Sequence, residues 1–181
     1  MSDLISSRLI HHGKVIRVEE DQVRFPNGTT GALDIVRHPG ASAVVPFLSD
    51  PAGVDPTILL IRQYRHAAGG WLLEIPAGRL DVGETPDACA HRELLEETGC
   101  TCERLVPLTT ILTTPGFSDE QIHLFAAVGL TSGAVRHEPD EFIEPQAMRL
   151  ADALEKVKTG EIRDAKTALA LLFAAGFLAN N

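Results

Sequence analysis

Between Lys14 and Arg37, apolar and polar positions alternate on both sides of Pro26-Asn27-Gly28, and Asn-Gly is a strong hairpin signal, so the spacing predicts an antiparallel β-hairpin. The runs AVVPFL (Ala43 to Leu48) and TILLIRQYR (Thr57 to Arg65) are nearly continuous in apolar residues and read as strands pairing with one another across the turn-rich SDPAGVDP. WLLEIPAG (Trp71 to Gly78) predicts a further short extended segment ending in Pro and Gly, and Leu105 to Leu112 and Gln121 to Leu130 predict two strands flanking TTPGFSDE. TPDACAHRELLEETG reads as a helix, with Thr85 as N-cap, Pro86 at the first helical position and Gly99 as the stop. A second helix is expected near Leu150 to Lys158, where Leu150, Leu154 and Val157 share a face. The apolar run TALALLFAAGFLA (Thr167 to Ala179) predicts a buried final helix, being shorter than the roughly 20 residues a membrane span needs.

Composition narrows the classes. A chain of 181 residues, 44% hydrophobic and 23% charged, with no repeat or low-complexity tract, fits a globular domain with a real core. A formal net charge of -9 argues against a broad basic surface for nucleic acid, and it means that phosphates can be handled only with added cations. Cys89, Cys100 and Cys102 have no zinc-site spacing and are expected to be reduced thiols, and the N-terminus has no secretory h-region. The expectation is a cytoplasmic protein with no membrane and no nucleic-acid partner.

The helix ending in HRELLEETG carries Glu93, Glu96 and Glu97, which project together because positions i, i+3 and i+4 share a face. Like charges so placed destabilise an isolated helix by about 0.2 to 0.5 kcal/mol per pair. Two readings account for them: a solvated helix face opposite Leu94 and Leu95, or a site for a hard divalent cation, which a few carboxylates, waters and phosphate oxygens hold.

The whole stretch GRLDVGETPDACAHRELLEETGC, from Gly78 through Glu84, Arg92-Glu93-Leu94, Glu96-Glu97 and Gly99, resembles the Nudix box of the Nudix hydrolases. Cys100 stands where that family prefers an aliphatic residue, a small change because cysteine packs as a small hydrophobe. The order of elements from about Ala41 onward is similar to the Nudix α/β/α sandwich, an α/β fold with a mixed sheet. The leading hairpin, residues 1–40, resembles the N-terminal extension of the ADP-ribose pyrophosphatase branch, where it helps build a homodimer; residues 41–181 would be the Nudix hydrolase domain.

The resemblance implies roles. Glu93 and Glu97 would be the principal Mg²⁺ ligands, with Mn²⁺ as substitute; Glu96 would serve an additional ion, and the carbonyl of Ala77 would complete the set. Gly78, Glu84, Arg92 and Gly99 would be structural, the Glu84–Arg92 ion pair locking loop to helix. Hydrolysis needs a general base. In the branch it is a glutamate on a loop after the box, where RHEPDEFIEP offers Glu138, Asp140, Glu141 and Glu144; Glu141 is the first choice and Glu144 the second. Pro115 in TTPGFSDE, together with RQYR and LLEIPAG, resembles the ADP-ribose pyrophosphatase signature.

Arg62 is a candidate to grip the diphosphate through planar bidentate hydrogen bonds, Glu74 and Glu120 to meet ribose hydroxyls or water on the metal, and Trp71, Tyr64 or Phe117 to stack on adenine. The expected partner is a small nucleoside diphosphate substrate, and the expected reaction is cleavage of ADP-ribose to AMP and ribose 5-phosphate. A nucleotide sugar such as ADP-glucose or GDP-mannose is the alternative substrate, and a nucleotide sensor without catalysis is the third reading.

Overall fold

A computed structural model describes residues 3–133 and 142–177. They form strands β1 (Asp3–His12), β2 (Arg17–Arg24), β3 (Thr30–Arg37), β4 (Ala41–Pro46), β5 (Thr57–Arg65), β6 (Gly70–Glu74), β7 (Ala77–Arg79), β8 (Cys100–Leu112), β9 (Gln121–Ser132) and β10 (Ile143–Arg149), and helices α1 (Pro86–Thr98), α2 (Leu150–Lys158) and α3 (Ala165–Phe177). The chain divides into two compact units: Met1–Gly40 with Ile111–Ile122, and Ala41–Thr110 with the chain from His123 onward.

In the first unit, β1, β2 and β3 make an antiparallel sheet. The predicted hairpin is β2–β3. Asn27 fastens its turn by accepting hydrogen bonds from the amide and hydroxyl of Thr29 at 3.1 and 2.7 Å, and Gly28 takes φ 86°. Strand β1 is an addition to the expected hairpin. Its pairing slips between Leu4 and Ser6 and again between Leu9 and His11, so Ile5 and Ile10 fall at bulges and the period of two is lost from the sequence. The segment 111–122 joins this unit through main-chain bonds from Val36 to Phe117 and from Asp119 to Val36.

In the second unit, one sheet runs β7-β4-β9-β8 and another β10-β5-β6. The two runs expected to pair do so only at a single bridge, Phe47 to Ile58; β4 pairs with β7, and β5 lies between β6 and β10. Strand β10 was not legible in a polar stretch that contains Pro145, a residue an edge strand tolerates; its pairing with β5 runs unbroken from Ile143 to Arg149. Every residue of β4 is buried, and Val44 joins Leu59, Ala90, Leu94, Cys100, Phe125 and Ala127 in the core. Helix α1 begins with Pro86 after an extended Thr85 and ends at Gly99 with φ 69°, whose amide donates to the Leu95 carbonyl. Among the described residues no helix is long and apolar enough to cross a membrane.

Candidate active site

Core packing of Ala90 and Leu94 fixes the rotation of α1, and with it the place of the carboxylates. Glu93 is 8% and Glu97 1% exposed, so two members of the acidic triplet are not on a solvated face. A buried carboxylate is costly unless partnered. The Ala77 amide donates to Glu97 Oε2 at 2.8 Å, and Glu93 lies against Gly78, where a Cβ would fall 1.8 Å from Glu93 Oε1. The box thus folds the start of β7 back onto the last turns of α1.

Arg92 neutralises part of the cluster. It makes two 2.9 Å bonds to the two oxygens of Glu84, a 2.5 Å bond to Glu93 Oε1, a 3.1 Å bond to Glu96 Oε2 and a 3.0 Å bond to the Arg79 carbonyl. The Arg92 guanidinium brings the Glu84 carboxyl down to about 2, helped by the Asp81 amide against a burial cost. Glu84, Arg92, Gly78 and Gly99 therefore hold loop to helix geometrically. Beside them, burial pushes the Cys89 thiol up to about 11; it stays protonated and donates to the carbonyls of Gly78 and Arg79 at 3.5 Å. All three cysteines are free thiols.

Among the described residues no three His, Cys, Asp or Glu side chains are grouped so as to hold a metal ion by themselves. Mg²⁺ needs no such group, because it keeps waters and takes one or two carboxylates plus substrate oxygens. Two buried carboxylates facing the Ala77–Gly78 backbone, with Glu96 at the rim, fit an ion of that kind.

The other candidates fall in different places. Glu74 is 1% exposed, and Arg65 binds both its oxygens at 3.0 Å while Lys166 approaches Oε2 at 2.5 Å. Burial alone would raise its carboxyl, but these two cations hold it below the ordinary carboxylate range. Its oxygens face protein cations, so the structure gives it an internal ion pair in place of the expected ribose or water contact. Arg62 lies over the Trp71 ring at 4.5 Å and pairs with Glu144 at 3.2 Å; both charged groups are exposed, and Tyr64 meets Trp71 edge-on at 5.8 Å. Glu120 belongs to the first unit, where its carboxylate accepts from Thr113 at 2.8 Å and lies 3.4 Å from His38. Phe117 also belongs to that unit. Glu141 lies outside the described residues, as do Glu138 and Asp140.

Arg65, Asp164, Lys166 and Thr167 were missed as a group. They stand in RQYR and in GEIRDAKT, far apart along the chain, and only folding shows that Arg65 and Lys166 share Glu74, that Thr167 takes the adjoining Ile75 amide and that Asp164 holds Thr167 and Lys166.

An α/β unit that clamps an acidic helix against a Pro-Ala-Gly strand defines a recognisable class, and residues 37–171 match the NUDIX domain. The chain belongs to the NUDIX domain family. It is 40% identical over 171 residues to the ADP-ribose pyrophosphatase of Bacillus subtilis (strain 168), spanning 93% of this chain and 90% of that protein. It is likewise 40% identical over 171 residues to the methanol dehydrogenase activator of Bacillus methanolicus, with the same coverage of 93% and 90%. Among solved structures, that of an ADP compounds hydrolase superposes with a TM-score of 0.83 at 20% identity, covering 99% of this chain and 95% of the other, a likeness of fold.

Proposed function

We propose that this protein is a Mg²⁺-dependent pyrophosphatase that hydrolyses ADP-ribose to AMP and ribose 5-phosphate, acting as a cytoplasmic homodimer. The observation that carries the reading is the burial of Glu93 and Glu97 against Ala77 and Gly78 inside a Nudix box that keeps all its acidic positions. The 40% identity to an ADP-ribose pyrophosphatase over 93% of the chain supports the substrate.

Glu93, Glu97 and the Ala77 carbonyl would hold Mg²⁺, with Glu96 serving a further ion. A bound divalent cation cancels charge developing on the phosphate oxygens. The chain's own residues do the rest. The Ala77 amide fixes the Glu97 carboxylate, and Arg92 offsets the repulsion among Glu84, Glu93 and Glu96 so that the helix keeps its shape before loading. Water adds to one phosphorus, the bridging P–O bond breaks, and the proton of the attacking water passes to the general base, which is Glu141, with Glu144 second. Glu144 is paired with Arg62, which weighs against it as the free base.

The β1–β3 unit builds the dimer. Leu4, Ile5, Leu9 and Ile10 are all exposed on β1, and a sheet surface of that kind fits a second copy. Free thiols agree with a cytoplasmic setting.

The test is AMP release from ADP-ribose with Mg²⁺ and with EDTA, beside ADP-glucose, GDP-mannose, NADH and a diadenosine polyphosphate. Mg²⁺-dependent cleavage led by ADP-ribose is the expected result. Preference for another member of the panel discards the substrate, and tight binding without cleavage moves the protein to the sensor class.

A further inference from the structure

The segment Glu74-Ile75-Pro76-Ala77-Gly78 joins β6 to β7 and ends on the two buried carboxylates of α1. Its far end has the contacts already described. Its near end is tied to the first turn of α3. The Ile75 amide donates to Thr167 Oγ1 at 2.9 Å, a buried bond spanning 92 residues of sequence. The Thr167 hydroxyl in turn donates to Asp164 Oδ2 at 2.5 Å, and the same oxygen accepts the Thr167 amide at 2.9 Å, capping the helix. One hydroxyl proton and one accepting direction are thereby assigned, and the hydroxyl cannot turn away from Ile75 without losing Asp164. Lys166 closes the loop, reaching Glu74 at 2.5 Å and Asp164 at 3.0 Å. Between this anchor and Ala77 stands Pro76, whose φ is locked by its ring and whose carbonyl accepts from Val44 at 2.9 Å. A peptide held at Ile75, stiff at Pro76 and paired at Val44 leaves Ala77 little choice of direction.

We infer that Thr167, with Asp164 and Lys166, is a positioning residue for the metal site: it fixes the Ile75 amide and thereby aims the Ala77 backbone at Glu97. Thr167 is fully buried and its hydroxyl is taken up by the Ile75 amide and Asp164, so its effect passes through the peptide that leads to Ala77. The inference rests on the metal reading proposed above. Outer-shell partners that orient metal ligands are worth roughly 10- to 100-fold in metal affinity.

The experiment titrates Mn²⁺ into the full chain and reads the free ion by electron paramagnetic resonance. Thr167→Val keeps the shape and removes the hydroxyl; it should weaken Mn²⁺ binding by roughly 10- to 100-fold, and raising Mg²⁺ should restore most of kcat. Thr167→Ser returns the hydroxyl and should return the affinity. Leu171→Ala, a buried truncation in the same helix, should lower the melting temperature and leave Mn²⁺ affinity alone. Wild-type affinity in Thr167→Val overturns the inference, as does an equal loss in Leu171→Ala. If Thr167→Val does not fold, Lys166→Met is read in its place by the same criteria. Glu97→Gln separates the two levels: if it binds Mn²⁺ as the wild type does, the metal reading itself fails, whereas a defective Glu97→Gln beside a normal Thr167→Val defeats only the positioning role.

Discussion

The amide of Ala77 and the carboxylate of Glu97 meet at 2.8 Å, joining the strand that closes the Nudix box to the helix that carries its acids. Glutamine at 97 keeps an oxygen for that amide, exchanges the other for an NH2 group and loses the charge. Glu97→Gln should therefore melt within a few degrees of the wild type while losing at least about 10²-fold in kcat, beyond the upper end of what second-shell partners contribute. Thermal melts beside steady-state kinetics check this; near-normal turnover would remove Glu97 from the metal set.

Gly78 is not in the left-handed region, so its backbone would accept alanine, but the added Cβ would lie 1.8 Å from Glu93 Oε1. The carboxylate is the flexible end of a side chain and can swing aside at small cost to the fold. Gly78→Ala should keep its melting temperature and lose Mn²⁺ affinity and activity together, on the order of 10- to 100-fold. A calorimetric Mn²⁺ titration reads it, and unchanged affinity would show that Glu93 binds no metal.

Glu84 has an ordinary value of 4.5 and is held at about 2 by Arg92. Between those values the unfolded chain binds the extra proton at Glu84 and the folded chain does not, so the contribution of Glu84 to stability is full above about pH 4.5 and is lost as pH drops toward about 2. Glu84→Gln should flatten the acid side of the stability curve in that window and leave its slope near neutrality unchanged. Urea midpoints measured from pH 5 downward decide it.

Removing a general base costs typically 10²- to 10⁴-fold. Glu141→Gln should show a loss of that size in kcat and lose the acidic limb of its pH profile, with KM little changed. Glu144→Gln should release Arg62 and change kcat by far less. The reverse order would exchange the two assignments.

Leu9 is exposed in the middle of β1. If the first unit forms the dimer, Leu9→Lys should give a monomer in sedimentation velocity while the second unit keeps its fold by circular dichroism. A monomeric wild type would remove the dimer outright.

Sequence periodicity was informative where side chains decide. Thr57 to Arg65 and Leu150 to Lys158 are found as read, and α1 lies between the Thr85 and Gly99 signals. It failed where the apolar period is missing: β1 hides behind two bulges, and β10 lies in a polar stretch that contains Pro145. The same division holds at the site. The box could be read because Glu93, Glu96 and Glu97 lie on one helix, whereas the Arg65–Glu74–Lys166 network joins three elements and has no local pattern. Glu74 was placed with the substrate because its burial is a property of the folded sheet and not of LLEIPAG.

Arg92 gives the acidic helix a resident counter-ion. One guanidinium offsets part of the charge on three carboxylates and ties the helix to its loop without an ion. If the proposed metal site is the catalytic one, scarcity of the ion would act as a throttle on turnover and not on how much protein persists, and a starved cell would hold a standing, idle stock that resumes work as soon as the ion returns.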